Sequence, residues 1–145
     1  MRLTAKTFGF LTAFALSAVA AVASAAPQAA ATLPNIRVLA TGGTIAGAQA
    51  SAQDYAYKSG AYDVNTLIQA VPNLVKLARI TGEQVVNIGS QDMNDEVWLT
   101  LAKRLATALE SDDVDAALIM HGTDTLEETS YFLSLVTKSP KPVVM

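Results

Sequence analysis

Ile36-Arg37-Val38-Leu39-Ala40-Thr41-Gly42-Gly43-Thr44-Ile45-Ala46-Gly47 is the stretch whose reading decides the fold. The run from Ile36 to Ala40, apolar except for Arg37, reads as a short buried strand. The paired glycines after it predict a sharp turn at a place where side chains would obstruct something. Thr44 then stands at the C-terminal end of the strand, the edge where open α/β sheets hold their ligands. The same pattern recurs along the chain. Gln84 to Ile88 reads as a second strand, ending in Gly89-Ser90-Gln91-Asp92-Met93. Ala116 to Met120 reads as a third, ending in His121-Gly122-Thr123-Asp124-Thr125.

Helical patterns fill the gaps. Asp63 is placed to cap a short helix from Val64 to Val71, which Pro72 ends. Leu74, Val75, Leu77 and Ala78 suggest a further helical turn, closing near Gly82. Asn94 or Asp95 starts a longer helix with Trp98, Leu101, Ala102, Leu105 and Leu109 on one side, at spacings of three and four. Trp98 is a packing residue in this reading, and Glu110 to Asp115 is a solvated acidic loop. Leu126 to Val136 forms the next helix, with Thr125 as its cap and Glu127 and Glu128 favourably placed in the first turn. Pro140 and Pro142 bracket the exit, and Val143-Val144-Met145 begins a fourth strand. Alternating strands and helices predict an α/β fold: a mainly parallel sheet with flanking helices. Such a sheet brings Thr41–Thr44, Ser90–Asp92 and His121–Thr125 to one edge. The segment from Ala48 to Tyr62 has no clear period and reads as a functional lid or a plain surface loop.

Of the 145 residues, the first 25 read as a secretory signal peptide. Arg2 and Lys6 form a basic start, Phe8 to Ala20 is an apolar run too short for a membrane span, and Ala23-Ser24-Ala25 fits a cleavage site. Cleavage after Ala25 leaves residues 26–145 as one domain, and the expected location is periplasmic or secreted. No later segment is long and apolar enough to span a bilayer. Without Arg2 and Lys6 there remain eight basic and thirteen acidic residues, a balance of −5 that attracts neither nucleic acid nor anionic lipid. The absence of cysteine excludes disulfides, thiolate zinc sites and cysteine catalysis. A sheet that stops on the first residues of a buried strand is expected to continue, so the sequence reads as a truncated part of a longer domain.

Several chemistries fail on the residues. Gly42 and Gly47 have P-loop spacing, but Ala48 and Gln49 stand where Lys and Ser/Thr are needed. Thr44 occupies the second glycine of a dinucleotide fingerprint, and no Gly-x-Ser-x-Gly elbow exists. His121 lies near Asp124, Glu127 and Glu128, but no second histidine or HExxH pattern accompanies it, so no metal is expected. His121 reads as a satisfied histidine at a strand end. A purely structural Gly-Gly turn stays open beside a hydroxyl chemistry in which Thr44 attacks and turn amides stabilise an oxyanion. Thr123-Asp124 would add a second hydroxyl and an acceptor. Neither cluster identifies a base or a substrate.

Ala40-Thr41-Gly42-Gly43-Thr44-Ile45-Ala46-Gly47 and His121-Gly122-Thr123-Asp124-Thr125-Leu126-Glu127-Glu128-Thr129 resemble the two signature segments of bacterial L-asparaginases. Gly82 to Asp95, containing Asn87-Ile88-Gly89-Ser90-Gln91-Asp92-Met93, resembles the exported type II branch, and the likeness runs from Leu33 to Met145. The resemblance implies hydrolysis of L-asparagine to L-aspartate and ammonia, with no metal or cofactor. It implies Thr44 as nucleophile, Tyr57 as the lid tyrosine that helps activate it, and Thr123 as the second catalytic threonine. Ser90 and Gln91 match the pair that contacts the amino-acid head group, and Asp124 matches the residue binding its α-ammonium. The implied substrate is L-asparagine or L-glutamine, and the implied assembly is a homo-oligomer, a tetramer when full length. The resemblance also implies a lysine and a C-terminal domain further along, neither within residues 1–145. Without them the isolated chain is expected to lack an intact site, and the alternative reading is an inactive truncated fragment that only binds amino acids.

Overall fold

β1 (Asn35–Gly42) is an inner strand of a four-stranded sheet in the order β4-β1-β5-β6, with every pairing parallel. The computed structural model describes residues 32–49 and 57–145. The signal peptide expected over residues 1–25 and the middle of the irregular segment, residues 50–56, lie outside the described residues. In chain order β1 is followed by β2 (Ala48–Gln49), β3 (Tyr57–Lys58), α1 (Val64–Gln69) and β4 (Arg79–Ile88). Then come α2 (Asp95–Glu110), β5 (Ala116–Met120), α3 (Leu126–Val136) and β6 (Val143–Val144). Single 3₁₀ turns occupy Thr44–Ala46, Pro72–Lys76 and Ser90–Asp92.

The alternation of β1 explains the layers. Leu39 faces one side, where it is buried with Ala117 and Ile119 of β5, Leu101, Leu105 and Leu109 of α2, and Leu133 of α3. Val38 and Ala40 face the other side and pack on Val64 of α1, with Ile68 and Ile80 beside them. A strand with apolar neighbours on both faces needs successive apolar residues, which Val38-Leu39-Ala40 supply. Burying each of these leucines contributes roughly 1.5–3 kcal/mol. Trp98 packs as expected, its ring 6.3 Å from that of Phe132 across the α2–α3 contact.

The helix starts follow the capping residues. The Asp63 carboxylate accepts the backbone N–H groups of Asn65 and Thr66, and Asn94 accepts that of Val97. The Thr66 backbone N–H, then the Thr66 hydroxyl, which also donates to this carboxylate at 3.1 Å, and then the Asn65 N–H hold the Asp63 carboxyl below its ordinary value.

Two expectations need correction. Gly82 closes no helix: β4 starts at Arg79 and runs through it, and Pro72–Lys76 is a 3₁₀ turn. A Cβ at Gly82 would sit 2.9 Å from Ile68 and 3.0 Å from Val64, so glycine here admits α1 against the sheet instead of ending an element. Thr125 occupies the N-cap position of α3, but its hydroxyl makes no cap bond. It donates instead to the carbonyl of Ser90, 3.0 Å away.

Candidate active site

Three strand ends meet at the C-terminal edge of the sheet, and glycines make the meeting possible. Gly42 and Gly43 have φ of +98° and +74°, a region that side-chain-bearing residues rarely adopt. A Cβ on Gly43 would lie 2.3 Å from the backbone nitrogen of Gly122, so the turns after β1 and β5 touch backbone to backbone. A Cβ on Gly122 would in turn lie 2.4 Å from the Ser90 hydroxyl. This stacking of Gly43, Gly122 and Ser90 brings the three polar clusters within reach of one another.

The register supports it. β1 and β4 slip between Ala40 and Gly42, where Gly42 pairs with Ile88 while Ala40 pairs with Gln84. Gln84 occupies the gap: its amide nitrogen donates to the carbonyls of Ala40 and Val86, and its oxygen accepts the backbone N–H of Val64 at the start of α1. The slipped register ends with the Gly43 N–H donating to the Ile88 carbonyl at 2.8 Å.

On this edge the Thr44 and Thr123 hydroxyls are 3.5 Å apart, and both residues are exposed to solvent. Ser90 is buried, with 3 % of its surface exposed. Its hydroxyl donates to the Asp124 carboxylate at 2.9 Å and accepts the Asp124 backbone N–H at 3.1 Å. Asp124 itself is exposed, so one side of the carboxylate is anchored and the rest is open. Gln91 stands apart from this pair: its amide folds over Gly89 and donates to Asp92 at 3.2 Å. Thr41, in the same cluster as Thr44, is buried and donates to the Met120 carbonyl, a tie between β1 and β5. Tyr57 lies in β3, paired with Gln49, and its side chain falls outside the described part of the structure.

His121 is buried and satisfied, as its place at a strand end suggested. Its Nδ1 lies 2.7 Å from the Gly122 carbonyl and its Nε2 3.1 Å from the Thr129 hydroxyl. Trp98 donates its indole N–H to the same hydroxyl at 2.8 Å. A neutral ring with its proton on Nδ1 satisfies every partner: Trp98 donates to Thr129, Thr129 to His121, and His121 to Gly122. Thr129 is fully buried. The sequence pattern marked it only as a helix residue, because hydroxyls on helices usually face water or their own backbone.

Sequence reasoning passed over Asn87. Its amide donates to the Gly60 carbonyl at 2.6 Å, and no local pattern marks an asparagine one residue before the end of a strand. A cavity of about 510 Å³ lies away from this edge. It is an apolar groove between α2 and α3, lined by Leu99, Ala106, Leu109, Phe132 and Val136. The strand-tip cluster opens to solvent instead.

Comparison with known proteins bears on the family and the fold. The family model described as "Asparaginase, N-terminal" matches residues 35–145. The chain is 55 % identical over 132 residues to L-asparaginase 2 of Escherichia coli, covering 91 % of this chain and 37 % of that protein. It is 58 % identical over 116 residues to the probable periplasmic L-asparaginase of Haemophilus influenzae, covering 80 % and 33 %. A solved structure described as a probable cytoplasmic L-asparaginase from Campylobacter jejuni superposes with a TM-score of 0.71 at 50 % identity, over 77 % of this chain and 34 % of that one. The chain thus spans about a third of the length of the relatives it matches. With the motifs, the parallel sheet and this match together, the chain belongs to the asparaginase family and carries the family's N-terminal region.

Proposed function

We propose that the protein, expressed from its whole reading frame, hydrolyses L-asparagine to L-aspartate and ammonia. The observation that carries this reading is the 3.5 Å approach of the Thr44 and Thr123 hydroxyls beside the Ser90–Asp124 pair. In the reaction the Thr44 oxygen bonds to the side-chain amide carbon, and its proton passes to a base that Tyr57 and Thr123 help supply. The carbon–nitrogen bond then breaks, the nitrogen takes a proton and leaves as ammonia, and an ester on Thr44 remains. Water adds to that ester, releases aspartate and restores the hydroxyl. Asp124 holds the substrate's α-ammonium by charge, and Ser90 and Gln91 meet its carboxylate. No metal or cofactor enters any step.

The proposal extends to the whole molecule. Residues 1–25 act as a signal peptide, residues 26–145 begin the N-terminal domain, and the mature protein works in the periplasm or outside the cell as a homotetramer. The basic start, the apolar run and the cleavage box support export, as does the likeness to a relative named as periplasmic.

Ammonia release from asparagine tests the reading directly. Thr44→Ala should lower the rate on the order of 10⁴-fold or more, as for loss of a covalent nucleophile. Turnover retained in that variant defeats the assignment. Calorimetric titration with aspartate distinguishes the rival class: heat without ammonia means a module that binds amino acids and does not hydrolyse them. Competing asparagine against glutamine in one assay settles specificity, because one methylene in a pocket is worth only about 1–3 kcal/mol.

A further inference from the structure

Gly60 follows β3 in chain order and has φ of +66°. Its N–H donates to the Gly43 carbonyl at 3.2 Å, and its own carbonyl accepts the Asn87 amide at 2.6 Å. The Gly43 carbonyl also accepts the N–H of Ala46 at 3.3 Å. That carbonyl belongs to the peptide joining Gly43 to Thr44, so whatever fixes its direction also fixes the Thr44 backbone N–H and the origin of the Thr44 side chain. The Asn87 oxygen fills the space left by two glycines: a Cβ would come within 2.4 Å of it at Gly60 and 2.8 Å at Gly42. Asn87 therefore sits between the turn that carries Thr44 and the end of the β2–β3 ladder. It holds Gly60 at one end of a two-bond relay that finishes on the Gly43–Thr44 peptide.

We propose that Asn87 is a positioning residue for Thr44, acting through Gly60 and the Gly43 carbonyl without touching the substrate. This rests on the function proposed above, in which Thr44 attacks. Reaction geometry is sensitive to displacements of about 1 Å, so a loosened peptide should slow attack more than it weakens binding. Ser90 and Asp124, which grip the amino-acid end, bond to each other and not to Asn87.

The test uses protein expressed from the complete reading frame, with Asn87→Ala and Asn87→Asp beside the wild type. Aspartate keeps the shape and loses the donor, and it faces the Gly60 carbonyl with negative charge. Both variants should lower kcat about tenfold, the worth of one net hydrogen bond. Affinity for aspartate should change by less than about threefold, and the melting temperature should stay above the assay range. In parallel, amide hydrogen exchange at Gly60 and Ala46 should speed up about tenfold in both variants. Unchanged kcat in either variant overturns the proposal. So does a loss in which aspartate affinity and melting temperature fall together with kcat, since that marks a merely structural asparagine. If the wild type releases no ammonia, the proposed function fails on its own, and the exchange rates at Gly60 and Ala46 still decide whether Asn87 holds the turn.

Discussion

Ser90 shows how one hydroxyl serves two partners. Buried among the strand ends, it donates a hydrogen bond to the Asp124 carboxylate and accepts one from the Asp124 backbone N–H. Its carbonyl accepts the Thr125 hydroxyl in addition. Ser90→Ala removes the side-chain bonds at once and leaves a buried methyl beside an N–H that has lost its acceptor. If Ser90 only contacted a ligand, its removal and that of Asp124 would weaken aspartate binding independently. Because each holds the other, a double-mutant cycle between Ser90→Ala and Asp124→Ala should instead show a coupling of about 1–2 kcal/mol, read from calorimetric affinities. Additive losses would mean that the mutual bonds do not matter in solution. The sequence placed both residues on one edge of the sheet, but it could not show that they bond each other. A contact between residues 34 positions apart depends on the stacking of Gly43, Gly122 and Ser90, which no local pattern records.

At the scale of elements, β4 carries the instructive misreading. A glycine beside a helical turn looks like a helix end, so the strand was expected to begin at Gln84 instead of Arg79. Gly82 is required by the side chains of another element, Ile68 and Val64 of α1, and that requirement is invisible along the chain. Gly82→Ala should therefore destabilise the fold by about 1–3 kcal/mol, as overpacking does. Adding Ile68→Val removes the methyl group nearest the new Cβ, and denaturant unfolding should find the double variant more stable than the sum of the two changes predicts. Gln84 makes the same point with polar groups, since it joins Ala40, Val86 and Val64 across three elements. Gln84→Ala should cost roughly 2–3 kcal/mol from unpaired backbone groups. Local signals were legible where local bonds decide, and Asp63 and Asn94 cap α1 and α2 as their positions predict. Asp63 also sets a pH dependence. Its folded carboxyl lies below the unfolded one, so its contribution is present at neutral pH and is lost as pH falls through the lowered folded value. Thermal unfolding of wild type and Asp63→Ala should converge as pH drops below about 4, the unfolded carboxyl range.

Across the whole molecule, the residues that hold the fold and those proposed to do chemistry occupy different depths of the same sheet. Leu39 is fully buried halfway along β1, packed between α2, α3 and the neighbouring strands. Thr44 follows five residues later, past the end of the strand and exposed to solvent. The strand carries its load in the apolar layer, and its tip is shaped by glycines that contribute little packing of their own. This separation predicts opposite behaviour from two changes so close in sequence. Leu39→Ala opens a cavity in the inner layer and should lower the unfolding free energy by about 2–5 kcal/mol. The molecules that remain folded should keep their affinity for aspartate, because Ser90 and Asp124 are held by bonds to each other and not by Leu39. Thr44→Ala should leave the melting temperature within a few degrees of wild type, as surface changes do, while abolishing turnover. Calorimetric binding at a temperature where the Leu39 variant is folded, set beside melting curves for both, checks the pair. A Leu39 variant that loses aspartate affinity while still folded would mean that the inner layer directly shapes the rim, and core and site would then have to be treated as one unit.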